Sequence, residues 1–194
     1  MTSEPLKKVV FLVTGNIHKF AEASLVLSEF GLSTAMLNVD IVEIQADTIE
    51  DVAKASVIDA VRKCRLPAIV EDAGLFIEAL KGFPGPYSSY VFRTVGLKGV
   101  LKLMENEKGR RAFFKSVVAF SAPNQKSPKI FRGRIEGRIA EQPKGHEGFG
   151  FDPIFFPLGG KGKAFAEMSM NEKNKLSHRA KALHAFAEWY AAEF

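Results

Sequence analysis

The stretch KKVVFLVTGNIHKFAEASLVLSEFG, residues 7–31, decides the fold class of this chain. Residues 7–13 contain a continuous apolar run of strand length, typical of a strand buried on both faces of an α/β sheet. After the polar turn at 14–16, apolar side chains recur every three or four positions from Phe20 to Phe30, which predicts an amphipathic helix capped by Gly31. Strand, tight turn and helix in this order predict a βα unit.

Beyond this unit, the predicted elements first alternate between helix and strand and later consist mainly of long strands. They are an extended run at 34–44, a helix from the cap Thr48 to Cys64, a strand at 67–71 that ends in the turn DAG, strands at 111–122 and 129–140, and a helical region opened by the capping box of Ser169 and Glu172. This order predicts a mixed sheet with helices on it, in the α/β or α+β class. Whether the strands after the Gly- and Pro-rich turn at 82–90 form a second lobe is not decided by this pattern.

Composition favours an intracellular, soluble protein. The chain has 194 residues, of which 46% are hydrophobic, enough for one sizeable core. A single cysteine, Cys64, excludes an internal disulfide, and we find no apolar stretch of the ~20 residues that a membrane span needs. The formal net charge of +5 indicates either a polyanionic partner or simply a lysine-rich surface, and the charge alone does not decide between them.

The turn TGNIHK, residues 14–19, has the form of an anion site. Gly15 permits a tight turn, Asn16 can cap the helix, and the first helical turn presents free backbone N–H groups. Lys19 stands in that turn, where an isolated helix would favour an acid, so a phosphate between them would reconcile the two positive charges. The alternative is an ordinary βα turn with an exposed lysine.

Carboxylates follow two of the predicted strands. Glu43 lies near the end of the extended run, and Glu71 and Asp72 end the third strand. Ligands bind at such strand ends in α/β sheets, and Mg²⁺ needs only one or two carboxylates besides water and phosphate oxygens. Asp72 with Glu43 would fit that ion. The alternative is a set of solvated acids in turns.

A basic cluster lies near the C-terminus, in the sequence EKNKLSHRAK, residues 172–181. Lys173 and His178 would point about 140° apart on one continuous helix, so they meet at a ligand only if the helix breaks between them. Ser177 is a suitable cap for a second helix, whose first turn would hold His178 and Arg179. The alternative is a solvated basic helix face.

The irregular stretch EGFGFDPIFFP, residues 147–157, divides into two parts. Gly148 and Gly150 would leave room around Phe149 for its ring to lie flat against a base, and Asp152 before a proline is biased to an extended conformation. The downstream part, 154–156, is a short apolar run that belongs in the core. We predict a ligand-facing GFGFD and a core-facing IFF.

Together these motifs resemble the inosine/xanthosine triphosphate pyrophosphatase family. The resemblance rests on TGNIHK (14–19), VEDAGL (70–75), GFPGPYS (82–88), GFGFDPIF (148–155), and FAEMS with EKNKLSHRAKAL, in the family's order. It implies an elongated, two-lobed α/β fold with a long central mixed sheet flanked by helices and a cleft between the lobes. It implies one catalytic domain over 1–194, with the second lobe within 82–140, and a homodimer.

The resemblance also implies Mg²⁺-dependent hydrolysis of ITP, dITP and XTP to the monophosphate and pyrophosphate in the cytoplasm. The implied metal ligands are Glu43 and Asp72, and Asp72 is also the implied proton acceptor. The implied substrate-binding residues are Thr14, Gly15, Asn16, Lys19, Ala73, Phe149, Gly150, Phe151, Asp152, Lys173, His178 and Arg179. Two of these depart from the family's pattern. Ala73 replaces a hydroxyl residue and leaves only a backbone contact, and Phe151 replaces a Tyr or Trp and loses the polar group.

Two other functions are weighed against this one. A non-catalytic nucleic-acid binder would use the basic stripe Arg132, Arg134 and Arg138, but we expect a nucleotide substrate, no membrane association and no stable nucleic-acid partner. A pyrophosphatase for modified pyrimidine triphosphates is the second alternative. The identity of the group that accepts the proton also stays open. A tight metal ligand such as Asp72 is a poor base, and Glu71 or a metal-bound hydroxide could serve instead.

Overall fold

The computed structural model describes residues 8–42 and 44–194, and Glu43, a predicted metal ligand, lies outside the described residues. The strands are β1 (Val9–Val13), β2 (Ser33–Leu37), β3 (Ala68–Ile77), β4 (Arg111–Ser121), β5 (Lys129–Ile139) and β6 (Phe155–Pro157). The α-helices are α1 (Ile17–Ser28), α2 (Ile49–Cys64), α3 (Ser88–Thr94), α4 (Gly96–Leu103), α5 (Met170–Asn174) and α6 (His178–Glu193).

The strands form one six-stranded mixed sheet in the order β2-β1-β3-β4-β5-β6. β1 pairs in parallel with β2 and β3, and the remaining neighbours are antiparallel. The predicted α/β class is confirmed, with a mixed sheet and flanking helices. Because Leu12 lies beside Ile69 near the start of β3 and the two strands are parallel, the turn after β1 lies next to the middle of β3.

Two predicted boundaries are wrong. The third strand does not stop at residue 71 but continues to Ile77, because β4 pairs with it along its full length, including Asp72 with Val117. Asp72 therefore projects from the middle of a strand rather than from a turn. The extended run predicted at 34–44 is a strand only to Leu37, where its pairing with β1 ends.

The C-terminal helices match the prediction closely. Ser169 caps α5, and Ser177 accepts a hydrogen bond from the Ala180 N–H at the start of α6, so the helix breaks between Lys173 and His178. Helix α6 packs closely on β5 at Gly133, where a Cβ would lie 1.9 Å from the His178 carbonyl oxygen. Glycine at this position therefore lets the first turn of α6 approach the sheet.

The 82–140 segment contributes β4 and β5 to the same sheet, and an independent second lobe there stays a prediction. Over the described ranges, no helix combines the length and the apolar character needed to cross a membrane.

Candidate functional site

The turn between β1 and α1 is held in shape by its own side chains. The Asn16 Oδ1 accepts hydrogen bonds from the N–H groups of His18 (2.9 Å) and Lys19 (3.2 Å), and the Thr14 Oγ1 accepts one from the Asn16 N–H (3.1 Å). Asn16 is thus the helix cap that its sequence position predicts. Gly15 is exposed at the apex of this turn.

Lys19 crosses from α1 to the middle of β3. Its Nζ donates a hydrogen bond to the Glu71 carbonyl oxygen (2.7 Å) and lies 3.1 Å from the Glu71 Oε2 and 3.9 Å from the Asp72 Oδ1. The ammonium group is only partly exposed, and these carboxylates fix its position. The two predicted groups, TGNIHK and VEDAG, therefore meet at one place.

A polar cleft of about 550 Å³ opens at this meeting point. Its walls come from the β1–α1 turn, the segment after β2, helix α2 and strand β3. The lining residues are Val13, Thr14, Gly15, Lys19, Asn38, Val39, Asp40, Ile41, Ser56, Val70, Glu71 and Asp72. Of the predicted residues, Thr14, Gly15, Lys19 and Asp72 lie together here. Ala73, the next residue on β3, is half-buried opposite Ser116 of β4.

Glu71 and Asp72 are neighbours with opposite surroundings. The Glu71 carboxylate is buried, accepts a 2.5 Å hydrogen bond from the Ser116 hydroxyl and lies 3.1 Å from the Arg179 Nε. Burial would raise its pKa, but the charges of Arg179 and Lys19 and the Ser116 hydrogen bond outweigh burial and hold the pKa well below its usual value. Asp72 is half-buried and faces the cleft. Glu71 is therefore a buried counter-ion, whereas the Asp72 carboxylate lines the cleft.

A second cluster of charges is buried behind this cleft. The Lys173 Nζ lies 2.8 Å from the Glu22 Oε1 and 2.5 Å from the Asp152 Oδ2, and the Arg179 guanidinium joins the other oxygen of Glu22 to Glu71. All of these side chains are nearly inaccessible to solvent. The predicted helix break at Ser177 is present, and it brings Lys173 and Arg179 onto the same carboxylate, that of Glu22.

Glu22 is the residue that sequence reasoning missed. It lies on the buried face of α1, and it holds both of the buried cations. Burial would raise its pKa, but Arg179 and Lys173 more than compensate and lower it. The available signal was a lone acid on the apolar stripe of α1, one turn after Lys19. Ser116, within the apolar run of β4, was missed as well.

The pKa values of Asp152 and His178 are shifted mainly by burial. Burial raises the pKa of the Asp152 carboxyl despite the opposing charge of Lys173. Burial, assisted by the charge of Arg179, lowers the pKa of His178 well below its ordinary value, so the imidazole is neutral. The His178 ring stacks on Phe114 at a centroid distance of 4.5 Å.

Phe149 lies at the edge of this buried cluster. Its ring is half-buried, with the Lys173 Nζ 5.0 Å and the Arg179 Cζ 5.1 Å from the ring centroid. The exposed His18 imidazole stacks on the same ring, with centroids 5.3 Å apart and planes inclined by 18°. An aromatic face flanked by donors is thus placed beside the polar cleft, since His18 and Lys19 are adjacent.

The segment around Phe149 folds differently from the prediction. Asp152 is not extended but begins a short 3₁₀ turn, Asp152–Ile154, and its Oδ2 accepts a hydrogen bond from the Phe149 N–H (2.9 Å). Gly148 does not leave open space. A Cβ there would lie 2.1 Å from the Asp152 Oδ2, and its φ is +71°. Gly150 does leave the predicted space, because a Cβ there would meet nothing within 4 Å.

The aromatic rings of this segment lie where the sequence predicts, except for Phe151, which was predicted to face the ligand. Phe155 and Phe156 are buried in the core, and so is Phe151, whose ring contacts Phe92 at 5.5 Å. A substrate contact at Phe151 would therefore be made by its backbone.

The oxygen atoms around the cleft are of the kind that binds a hard cation. Asp40 and Asp72 both line it, and carboxylate oxygens are the ligands that Mg²⁺ prefers. Among residues 8–42 and 44–194, no group of three or more His, Cys, Asp or Glu side chains is placed to hold a metal ion.

The fold and the site define an α/β protein with a polar cleft at the start of helix α1, next to a buried cluster of ion pairs and the Phe149 ring. A comparison with family models matches residues 10–189 to the Ham1 family, and the chain belongs to that family. The resemblance inferred from the motifs is thereby confirmed.

Individual relatives agree along nearly the whole length. The dITP/XTP pyrophosphatase of Methanopyrus kandleri is 51% identical over 183 residues, covering 94% of this chain and 96% of that protein. The dITP/XTP pyrophosphatase of Pyrococcus horikoshii is 50% identical over 180 residues, covering 93% of this chain and 95% of that protein. A solved HAM1 protein from Coxiella burnetii superposes with a TM-score of 0.83 at 30% identity, covering 95% of this chain and 99% of the other.

Proposed function

We propose that this protein hydrolyses non-canonical purine nucleoside triphosphates, such as ITP, dITP and XTP, to the monophosphate and pyrophosphate. The observation that carries the proposal is the junction of two half-sites. The β1–α1 turn and Lys19 of helix α1 line a polar cleft. On the same helix, Glu22 contacts Lys173 and Arg179, and His18 contacts Phe149. A triphosphate in the cleft would place its base at the buried cluster. The names of the relatives support this assignment.

In the cleft, the chain supplies positive charge and orientation. Thr14 and Gly15 of the turn and the Lys19 ammonium, which line the cleft, would bind phosphate oxygens and stabilise the pyrophosphate as it leaves. Water attacks the α-phosphorus, the bond to the bridging oxygen breaks, and one proton is released. Asp72 is the proposed acceptor of that proton, and a metal-bound hydroxide is the alternative if Asp72 binds the ion tightly. Glu71 is a poorer candidate, because its carboxylate is buried and ion-paired and its neighbours hold its pKa low.

Magnesium is the proposed cofactor. Asp72 would hold it together with Glu43, which lies outside the described residues, and the oxygen donors around the cleft fit this ion. The bound ion would neutralise phosphate charge and acidify water.

The base pocket favours a 6-oxo purine. Lys173 and Arg179 are donors, and a neutral His178 can donate from one ring nitrogen. Hypoxanthine and xanthine offer an acceptor at position 6, whereas the amino group of adenine would oppose a donor. Guanine shares the 6-oxo group, so rejection of GTP would have to come from its 2-amino group. Because unpaired buried donors are costly, sites built on hydrogen bonds of this kind discriminate by roughly 10⁴–10⁵. We therefore propose ITP and XTP over ATP.

We further propose a cytoplasmic homodimer without a stable nucleic-acid partner. The free Cys64 is consistent with a reducing compartment. Part of the basic stripe is engaged internally, since Arg132 pairs with Glu50 and Arg134 with Glu136.

A substrate panel tests the proposal. Purified protein with Mg²⁺ is incubated with ITP, XTP, ATP, GTP and a modified pyrimidine triphosphate, and pyrophosphate is measured together with the nucleoside monophosphate. The proposal expects pyrophosphate mainly from ITP and XTP. Equal release from ATP would overturn the pocket argument, and release only from the pyrimidine would support that alternative class.

A further inference from the structure

The stack of His18 on Phe149 has no role in the function proposed above. The ring centroids are 5.3 Å apart and the planes are inclined by 18°. Lys19, the next residue, is directed at Glu71 in the polar cleft, so His18 lies where the phosphate half of the site meets the aromatic half.

The neighbours of the Phe149 ring differ in how firmly they are held. Lys173 and Arg179 are buried and ion-paired through Glu22, so neither moves away from the ring without breaking a buried pair. His18 is exposed in the first turn of α1, and rotation of its side chain costs only the stacking contact. Space for a base on Phe149 is therefore most easily made on the side of His18.

We propose that His18 is the second wall of the base pocket, so that a base inserts between the imidazole and Phe149. This inference rests on the proposed function, which takes Phe149 as the stacking surface. A base has van der Waals contact at about 3.5 Å on each face, so the rings must separate to about 7 Å.

This arrangement makes His18 a determinant of purine preference. Binding replaces the contact between imidazole and phenyl ring with a contact between imidazole and base. A pyrimidine has about the area of the phenyl ring, so the exchange is nearly neutral. A bicyclic purine covers more of the imidazole, so the exchange is favourable. Loss of the imidazole should therefore weaken purine binding and leave pyrimidine binding almost unchanged.

The test compares His18→Ala, His18→Phe and wild type in two assays. Equilibrium dialysis measures the Kd values of IMP and UMP without turnover, and steady-state kinetics give kcat and KM for ITP and UTP. A matched control is His184→Ala, because His184 also contacts an aromatic ring, Phe30, at 5.4 Å, on helix α6 rather than at the cleft.

For His18→Ala we expect the Kd of IMP and the KM of ITP to rise about threefold to tenfold with kcat little changed. The values for UMP and UTP should stay within about twofold, and His18→Phe should restore the wild-type ratio of IMP to UMP affinity. His184→Ala should behave as wild type.

An unchanged ratio of IMP to UMP affinity in His18→Ala would overturn the inference, and so would tighter IMP binding, which would make His18 an obstruction rather than a wall. The proposed function fails separately, if wild type releases no pyrophosphate from ITP. The dialysis ratios still decide the role of His18 in that case.

Discussion

Replacing Glu22 by glutamine tests whether the buried cluster is held together by this one carboxylate. Glu22 contacts Lys173 through one oxygen and Arg179 through the other, and all of these groups are buried. Glutamine keeps the shape and can still accept from Lys173, but its amide NH₂ would face the donors of Arg179. Lys173 then keeps only Asp152 and Arg179 keeps only Glu71, so the two buried cations lose the carboxylate that they share.

The size of the effect follows from that burial. Breaking a buried ion pair by removing one partner costs about 3–5 kcal/mol. For a chain of this length each kcal/mol lowers Tm by about 2–4 °C, so the expected loss for Glu22→Gln is about 6–20 °C. Differential scanning calorimetry at neutral pH measures it. If the variant is folded at the assay temperature, its KM for ITP should also rise, since Lys173 and Arg179 lose their common anchor.

The matched control is Glu29→Gln, one residue beyond the end of the same helix. Glu29 is exposed and faces His184 at 3.5 Å, so its loss should cost less than about 1 kcal/mol. A Glu22→Gln variant that melted within about 2 °C of wild type would refute the reasoning, because the cluster would then not depend on this charge.

Further predictions address the two half-sites and the pH dependence. Lys19→Ala should raise KM for every triphosphate alike, whereas Lys173→Ala should narrow the preference for ITP over ATP, and unchanged kinetics in both would remove these lysines from the site. Phe149→Ala should raise KM for ITP about tenfold with little loss of stability, whereas Phe155→Ala, which empties a fully buried position, should cost about 3–5 kcal/mol in urea unfolding. Burial, with the charge of Arg179, depresses the pKa of His178 below its ordinary 6.5, so only the unfolded state gains a proton as pH falls below that value. The free energy of unfolding should therefore decline as the pH falls below about 6.5, and His178→Gln should flatten the decline.

Much of the fold could be predicted from local patterns in the sequence. The apolar run before Thr14, the caps Asn16 and Ser177, and the alternation along β5 each describe a short segment whose structure depends on its own residues. The length of β3 was not predictable in that way. Asp72, Ala73 and Gly74 look like a turn, and only their pairing with β4, 45 positions along at Val117, makes them a strand.

The candidate site likewise contains residues that local sequence predicts and residues that depend on distant partners. Lys19, Asp72 and Lys173 were predicted as site residues because charged residues stand out at the predicted ends of strands and helices. Glu22 was not found, because its partners lie 151 and 157 positions away and a single acid on a helix usually faces solvent. The conformation of Asp152 was predicted wrongly for a related reason. Its hydrogen bonds to the Phe149 N–H and to Lys173 outweigh the preference that the following proline imposes.

The central claim is that this cleft and this pocket select 6-oxo purine triphosphates. The most direct measurement is a competition assay, with ITP and ATP at equal concentration in one reaction with Mg²⁺, in which IMP and AMP are quantified as they form. Their initial ratio equals the ratio of the two kcat/KM values. The account predicts IMP in excess by a factor of at least about 10³, with one pyrophosphate for each IMP. Equal amounts of IMP and AMP, or orthophosphate in place of pyrophosphate, would contradict it.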